Sequence, residues 1–75
     1  MYYDVVASIC TETCITDSHL ISGGFKTEDE AMEYINIHNI SEVDYYKYCN
    51  DDETAYIEIE SHNEDGSIAD IITVD

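Results

Sequence analysis

The sequence predicts a small α+β domain in which a single helix packs on a mainly antiparallel sheet of four to five strands. Three observations predict this fold: a capping box that begins an amphipathic helix, a turn dipeptide between apolar runs, and alternating segments on both sides of the helix. The chain has 75 residues, of which 44% are hydrophobic, so residues 1–75 are expected to form one domain with a thin core. The expected order of elements is ββαβββ.

The helix is predicted over residues 28–39. Thr27 is expected to cap it by accepting a hydrogen bond from the amide of Glu30, whose side chain can reach back. Residues with the i, i+3, i+4, i+7 spacing of one helical face follow, namely Ala31, Tyr34, Ile35 and His38. Asn39 is expected to end the helix.

The C-terminal third is predicted to be a hairpin closed by Asp65–Gly66, a dipeptide typical of two-residue type I′ turns. Folding the chain about this turn sets a register. The expected pairs are Glu64 with Ser67, Asn63 with Ile68, Ser61 with Asp70, Ile59 with Ile72, and Ile57 with Val74. This register places the aliphatic residues Ile57, Ile59, Ile68, Ile72 and Val74 on the core side, and the opposite side receives Tyr56, Glu58, Glu60, His62, Ile71 and Thr73.

Two or three more strands are predicted from shorter patterns. Residues 2–10 alternate, with Tyr3, Val5, Ala7 and Ile9 on one face, and a second strand is expected within 18–25. Tyrosines in the segment 43–49 predict a third strand, which a turn over 50–53 separates from the hairpin.

Charge is the most unusual property of the chain. Eighteen residues are Asp or Glu, Lys26 and Lys47 are the only Lys or Arg residues, and the formal net charge is −16. Solubility of a small domain needs a net charge of only about 2–8 in magnitude, and self-repulsion from a larger excess destabilises the fold. The excess therefore indicates a strongly basic partner. Direct nucleic-acid binding is excluded, because that affinity comes from cations that neutralise phosphates.

Metal binding and catalysis have little support. Residues 61–66 resemble part of a calcium loop, but Ser61 and Ile72 occupy the first-ligand and bidentate-Glu positions. Cys10 and Cys14 have a spacing that zinc permits, but a second close pair is missing. There is no nucleophile elbow and no phosphate loop. We therefore expect no metal, no cofactor and no enzymatic activity.

The N-terminal segment predicts neither a signal peptide nor a membrane span, because it lacks a positively charged start and no run approaches about 18 apolar residues. A cytoplasmic location is therefore expected, with the three cysteines reduced.

In size, extreme acidity, near-absence of Lys and Arg and compact α/β layout, the chain resembles the small acidic inhibitors of phages and mobile elements. These include anti-CRISPR proteins, anti-restriction proteins and the uracil-DNA glycosylase inhibitor. No residue motif is shared, so no functional residue is carried over. The resemblance implies an inhibitor that occupies the basic nucleic-acid-binding groove of a host protein, such as a CRISPR effector, a restriction enzyme or a repair enzyme.

Two other functions fit the charge. One is an acidic protein–protein module without mimicry, such as an immunity protein, an antitoxin-like partner or a regulatory subunit. The other is a general acidic adaptation, as in high-salt organisms, with no basic partner.

The binding surface is expected to combine acids from three segments with three tyrosines. The acids are Glu28, Asp29, Glu30 and Glu33 on the helix, Asp51, Asp52 and Glu53 in the turn, and Glu58, Glu60, Glu64 and Asp65 on the hairpin. Tyr45, Tyr46 and Tyr48 are expected to add aromatic anchors, because Tyr is enriched at binding hot spots.

Overall fold

The computed structural model describes residues 1–74 and contains a four-stranded antiparallel sheet with two helical segments. The strands are β1 (Tyr2–Cys10), β2 (Ile15–Phe25), β3 (Thr54–His62) and β4 (Ile68–Val74), and the sheet order is β2-β1-β3-β4. Helix α1 spans Glu28–Ile37, and a 3-10 helix spans Glu42–Tyr48. The predicted α+β class is confirmed, with one strand fewer and one helical segment more than the expected order. Among residues 1–74, no helix combines the length and the apolar character that crossing a membrane requires.

The core lies between the two central strands and the helical segments. Its buried members are Val5, Ala7, Ala31, Ile35, Ile57 and Ile59, each no more than 5% exposed. Side chains on a strand alternate between faces, so this core uses only one face of the sheet. Ile40 and Tyr45 pack against the same cluster, which places the 3-10 helix on the same face as α1.

The predicted cap of α1 is confirmed. The Glu30 amide donates to Thr27 Oγ1 at 3.1 Å, and the Glu30 carboxylate accepts from the Lys26 amide at 3.2 Å. The first contact satisfies an amide group that the first turn of a helix otherwise leaves without a partner, and the second binds the residue before the cap to the helix. The helix ends at Ile37, two residues before the predicted end, and Asn39 turns the chain with a φ of 52°.

The strand predicted over residues 43–49 is wrong, because this segment belongs to the 3-10 helix. The Ser41 hydroxyl caps that helix by accepting from the Val43 amide at 3.3 Å. Tyr45 and Tyr48 are three residues apart, the repeat of a 3-10 helix, and both rings lie beside His19, with centroid distances of 6.2 and 4.7 Å. Contact of Tyr45 with the core favours this conformation over an extended one.

The C-terminal hairpin is confirmed, but its turn is longer than predicted. The Gly66 amide donates to the Asn63 carbonyl, and the Asn63 amide donates to the Ser67 carbonyl, each at 2.9 Å. Only Gly66 in the loop has a positive φ, 88°, whereas a type I′ turn also needs one at Asp65. The connection is therefore a three-residue loop with glycine in the left-handed region. Hydrogen bonds from the Ser67 hydroxyl and amide hold the pKa of Asp65 below its ordinary value.

The longer loop changes the register only next to the turn. The pairs Ser61–Asp70, Ile59–Ile72 and Ile57–Val74 are as predicted. Beyond an irregularity at this point of the ladder, His62 pairs with Ile68, in place of the predicted pairing of Asn63 with Ile68. Ile68 is 52% exposed, so its predicted place in the core is also wrong.

Replacing Gly66 by valine should destabilise the fold by about 1–2 kcal/mol, because a β-branched residue resists a positive φ. A Cβ at this position would meet no atom within 4 Å, so backbone strain is the only cost expected. Urea unfolding measures the change. Gly66→Asn is the matched control, since Asn tolerates this region, and an equal loss in both variants would contradict the explanation.

Candidate functional site: the open sheet face and its adjoining cleft

One face of the sheet carries no helical layer, and we call it the open face. Residues that pair across a ladder share a face, so the register identifies its members. They include Leu20 and Ser18 on β2, Tyr2, Asp4, Val6 and Ser8 on β1, Tyr56, Glu58, Glu60 and His62 on β3, and Ile71 and Thr73 on β4. Leu20 is 67% exposed, Tyr56 45% and Ile71 41%, which shows that nothing within residues 1–74 covers them.

Two carboxylates follow one another along β3 on this face. Glu58 and Glu60 are alternate residues of a strand, so their backbones lie about 6.7 Å apart. The buried Ser8 hydroxyl donates a short hydrogen bond to Glu58 Oε1, which fixes that carboxylate over the centre of the sheet. The two carboxylates thus form a row of negative charge along β3, and the Ser8 hydroxyl holds the Glu58 carboxylate in place.

An acidic cleft adjoins the open face at the end of the sheet where β3 begins. It has a volume of about 720 Å³ and lies between the β1–β2 loop and the turn before β3. Its lining residues are Thr11, Glu12, Thr13, Asp51, Asp52, Glu53, Thr54 and Tyr56. Tyr56 belongs to both surfaces, so the cleft and the row of carboxylates are continuous along β3.

Glu53 is the most constrained carboxylate of the cleft. It accepts a hydrogen bond from the Thr16 hydroxyl and another from the Asn50 amide at 2.8 Å. These hydrogen bonds, with that from Thr16 contributing most, lower the pKa of Glu53. The group therefore stays ionised at neutral pH and ties β2 to the turn that forms one wall of the cleft.

At the other end of the open face, a histidine lies beside an acid and an aromatic ring. His62 stacks on Tyr2, with ring centroids 4.8 Å apart and planes within 3°. Its Nε2 atom lies 3.4 Å from Asp4 Oδ2, and Asp4 Oδ1 accepts from the Gly24 amide at 3.1 Å. The contacts with Tyr2 and Asp4 hold the His62 ring at this end of the open face.

The structure separates the sequence-predicted acids into distinct regions. Asp51, Asp52 and Glu53 line the cleft. Tyr56 connects the cleft to the part of the open face that carries Glu58 and Glu60. The helix acids, Glu28, Asp29, Glu30 and Glu33, lie with α1 on the other side of the sheet. Glu64 and Asp65 follow the far end of β3, about 26 Å of strand away from the cleft.

The predicted tyrosines also lie on the helical side of the sheet. Tyr45 is half-buried against the core, while Tyr46 and Tyr48 are 47% and 51% exposed. None of the three joins the open face. The tyrosines of the open face are instead Tyr2 and Tyr56. The predicted hairpin register places Tyr56 on the same side as Glu58, but neither tyrosine is among the sequence-predicted site residues.

Glu12 and Asp4 also belong to this surface and are not among the sequence-predicted site residues. Glu12 lies in a loop whose position depends on the β1–β2 pairing, so no local pattern indicates it. Asp4 had a usable signal, because it is the polar member of an alternating strand.

Both lysines lie away from the open face. Lys26 immediately precedes α1, and Lys47 is in the 3-10 helix. Since the chain contains no Arg, no Lys or Arg side chain among residues 1–74 lies on the open face or in the cleft. The negative potential is therefore least compensated on this side of the molecule.

The thiols of Cys10 and Cys49 show no sign of activation. Burial, followed by the Glu58 carboxylate, raises the pKa of Cys10, and burial, followed by Glu53, raises the pKa of Cys49. Such thiols stay protonated at neutral pH, whereas nucleophiles and metal ligands are thiolates. Within residues 1–74, no group of three His, Cys, Asp or Glu side chains is placed to hold a metal ion.

Comparisons of the chain with known protein families, with curated proteins and with solved structures find no match. The open face and the cleft are therefore interpreted from their own charge, shape and exposed residues.

Thermal stability should rise with salt concentration, because screening weakens repulsion among the 18 carboxylates. The Debye length falls from about 30 Å at 0.01 M to about 8 Å at 0.15 M ionic strength. We expect the melting temperature to increase by several degrees over that interval, equally in sodium and choline chloride. An unchanged melting temperature would mean that the charges are already compensated.

Glu53→Gln should lower the urea midpoint at pH 7 relative to Glu12→Gln, which removes the same charge from an exposed position in the same cleft. The folded-state pKa of Glu53 is lowered, so its stabilising effect is present above the unfolded pKa, about 4.3. It is lost as the pH falls through the folded pKa. The urea midpoints of the two variants should therefore become equal in acid. A difference in midpoint that persists in acid would contradict the hydrogen-bond explanation.

Proposed function

We propose that the chain is an inhibitor that binds the basic nucleic-acid-binding groove of another protein through the open face and the cleft. One observation carries the proposal: a continuous surface along β3 presents carboxylates, two of which, Glu53 and Glu58, are held by hydrogen bonds, and both lysines lie outside this surface. A surface of one sign raises the rate of encounter with a partner of the other sign.

The size of the molecule suits such a groove. Its longest dimension is 36 Å, and duplex DNA of that length carries about 21 negative charges. Seven acids line the open face and the cleft, namely Asp4, Glu12, Asp51, Asp52, Glu53, Glu58 and Glu60. The surface therefore offers about a third of the charge of the duplex, concentrated on one side of the protein.

A second candidate function is supported by the apolar residues of the same face. Leu20, Tyr56 and Ile71 are large and more than 40% exposed, and they alternate with the acids across the sheet. Exposed apolar side chains beside charge are typical of protein–protein interfaces. These residues favour an acidic module that binds a basic protein surface outside any nucleic-acid site.

Competition with nucleic acid distinguishes the two functions. The immobilised chain would capture its partner from a nuclease-treated host lysate, and the purified partner would then be titrated with the chain and with a duplex of about 20 base pairs. Mutually exclusive binding supports inhibition at the groove. Binding of the chain that saturating duplex leaves unchanged would reject it and leave the acidic module.

Charge-reversal variants of this chain, measured for their rate of association with the captured partner, test which side of the chain binds it. Glu60→Lys should slow association about tenfold and weaken its salt dependence, because it inverts one of the two charges that β3 presents on the open face. Glu33→Lys on α1 changes the net charge by the same amount on the other side of the sheet, and it should leave the rate within about twofold. Equal effects of the two substitutions would mean that net charge alone drives binding.

A further inference from the structure

The two edges of the sheet are protected to different degrees. Edge strand β2 is interrupted by three irregularities in its pairing with β1, contains Gly23 and Gly24, and carries Asp17 and His19. Edge strand β4 has seven residues, Ile68–Val74, of which only Asp70 is charged, and its one irregularity lies next to the turn. A regular apolar edge without Lys or Pro is the kind that pairs with another strand.

Hydrogen bonds show which groups of β4 face outward. The Asp70 carbonyl accepts from the Ser61 hydroxyl of β3 at 3.3 Å, so the backbone of Asp70 faces inward. The Ile71 amide donates to the Asp70 carboxylate at 2.9 Å and so does not use β3. Because backbone groups alternate in direction along an antiparallel strand, Thr73 faces outward together with Ile71.

We propose that β4 pairs with β4 of a second copy of the chain, antiparallel about a two-fold axis, to form a continuous eight-stranded sheet. Outward N–H and C=O groups at Ile71 and Thr73 then find partners in the second copy. Half-buried Ile72 and Val74 extend the core across the interface. The strand order becomes β2-β1-β3-β4-β4-β3-β1-β2.

The chemistry of the edge selects a copy of this chain over a basic partner. With only one charge in seven residues, β4 offers little to attract cations, in contrast to the neighbouring β3. The strand that best matches its β-branched, uncharged composition is β4 itself, and a two-fold pairing matches each donor with an acceptor automatically.

The net charge of −16 sets the conditions for this pairing. The two β3 rows, with Glu58 and Glu60, would be separated by three inter-strand steps, or about 14 Å. That distance exceeds the Debye length of about 8 Å at 0.15 M salt but lies well within the 30 Å at 0.01 M. The dimer should therefore form at moderate salt and dissociate at low salt.

The two-fold axis is perpendicular to the sheet, so both open faces lie on the same side.

Asp70 opposes the pairing in the free chain. Its carboxylate occupies the Ile71 amide, the group that the second copy needs, and it adds negative charge at the edge. Removing this side chain should therefore strengthen the dimer.

Sedimentation equilibrium across a series of protein concentrations tests the proposal, with a monomer of 8.5 kDa and a dimer of twice that mass. We expect dimer at about 0.15 M salt and monomer at about 0.01 M.

Thr73→Pro should raise the dissociation constant at least about tenfold, because proline removes an outward donor twice in the complex and leaves the β3 ladder intact. Thr73→Val keeps the amide and should match the parent chain. Asp70→Ala should lower the dissociation constant several-fold.

Thr73→Pro and Asp70→Ala should change the dissociation constant in opposite directions, although both lie on β4. A general loss of structure would not produce opposite effects. Circular dichroism checks that Thr73→Pro is folded, and if it is not, Ile71→Glu tests the same edge by placing like charges close together. A chain that stays at 8.5 kDa at every concentration and salt overturns the proposal. So does a dimer that neither edge substitution weakens, since another surface must then hold it.

Discussion

The structure depends on one constraint: two short helical segments cover only one face of a four-stranded sheet. Helix α1 has ten residues and is about 15 Å long, so even with the 3-10 helix beside it, the helical layer cannot wrap around the sheet. The central strands β1 and β3 therefore have a buried face and a face without a layer. On the open face, Val6 and Ser8 are nevertheless at most 4% exposed, because side chains of the adjacent strands β2 and β3 flank them on both sides. What remains accessible there is a border of long polar and aromatic side chains.

Local chemistry made part of this fold predictable from the sequence. The capping of α1 needs only residues within one turn, and the hairpin register needs only the turn and the alternation on both sides. The prediction of a strand over 43–49 is wrong because tyrosines at positions 45, 46 and 48 fit the two-residue repeat of a strand as well as the three-residue repeat of a 3-10 helix. Ser41 is the signal that could have decided it, since Ser before an acidic residue is typical of a helix start. Contact of Tyr45 with the core lies outside any sequence window.

The site was harder to predict than the fold, because every acid looks alike in a chain with 18 of them. Alternation along β3 placed Glu58, Glu60 and Tyr56 together correctly. Which other acids join them depends on the side of the sheet that α1 occupies and on how the β1–β2 loop approaches the turn at residues 50–53. Both are long-range properties. Acids at 28–33 and acids at 58–60 are consequently equivalent in the sequence but lie on opposite sides of the molecule.

Charge spacing limits the kind of nucleic-acid mimicry that we propose for the open face. Carboxylates on alternate residues of β3 are about 6.7 Å apart, whereas duplex DNA carries one charge per about 1.7 Å of its axis. One strand thus supplies about a quarter of the linear charge density of a duplex, and the acids of the cleft and of β1 supply the rest only in part. The surface cannot copy each phosphate. It can match a few cations at fixed positions, with Leu20, Tyr56 and Ile71 filling the space between them. Charge would then govern how fast a basic groove is found, and apolar contact would decide which groove is held.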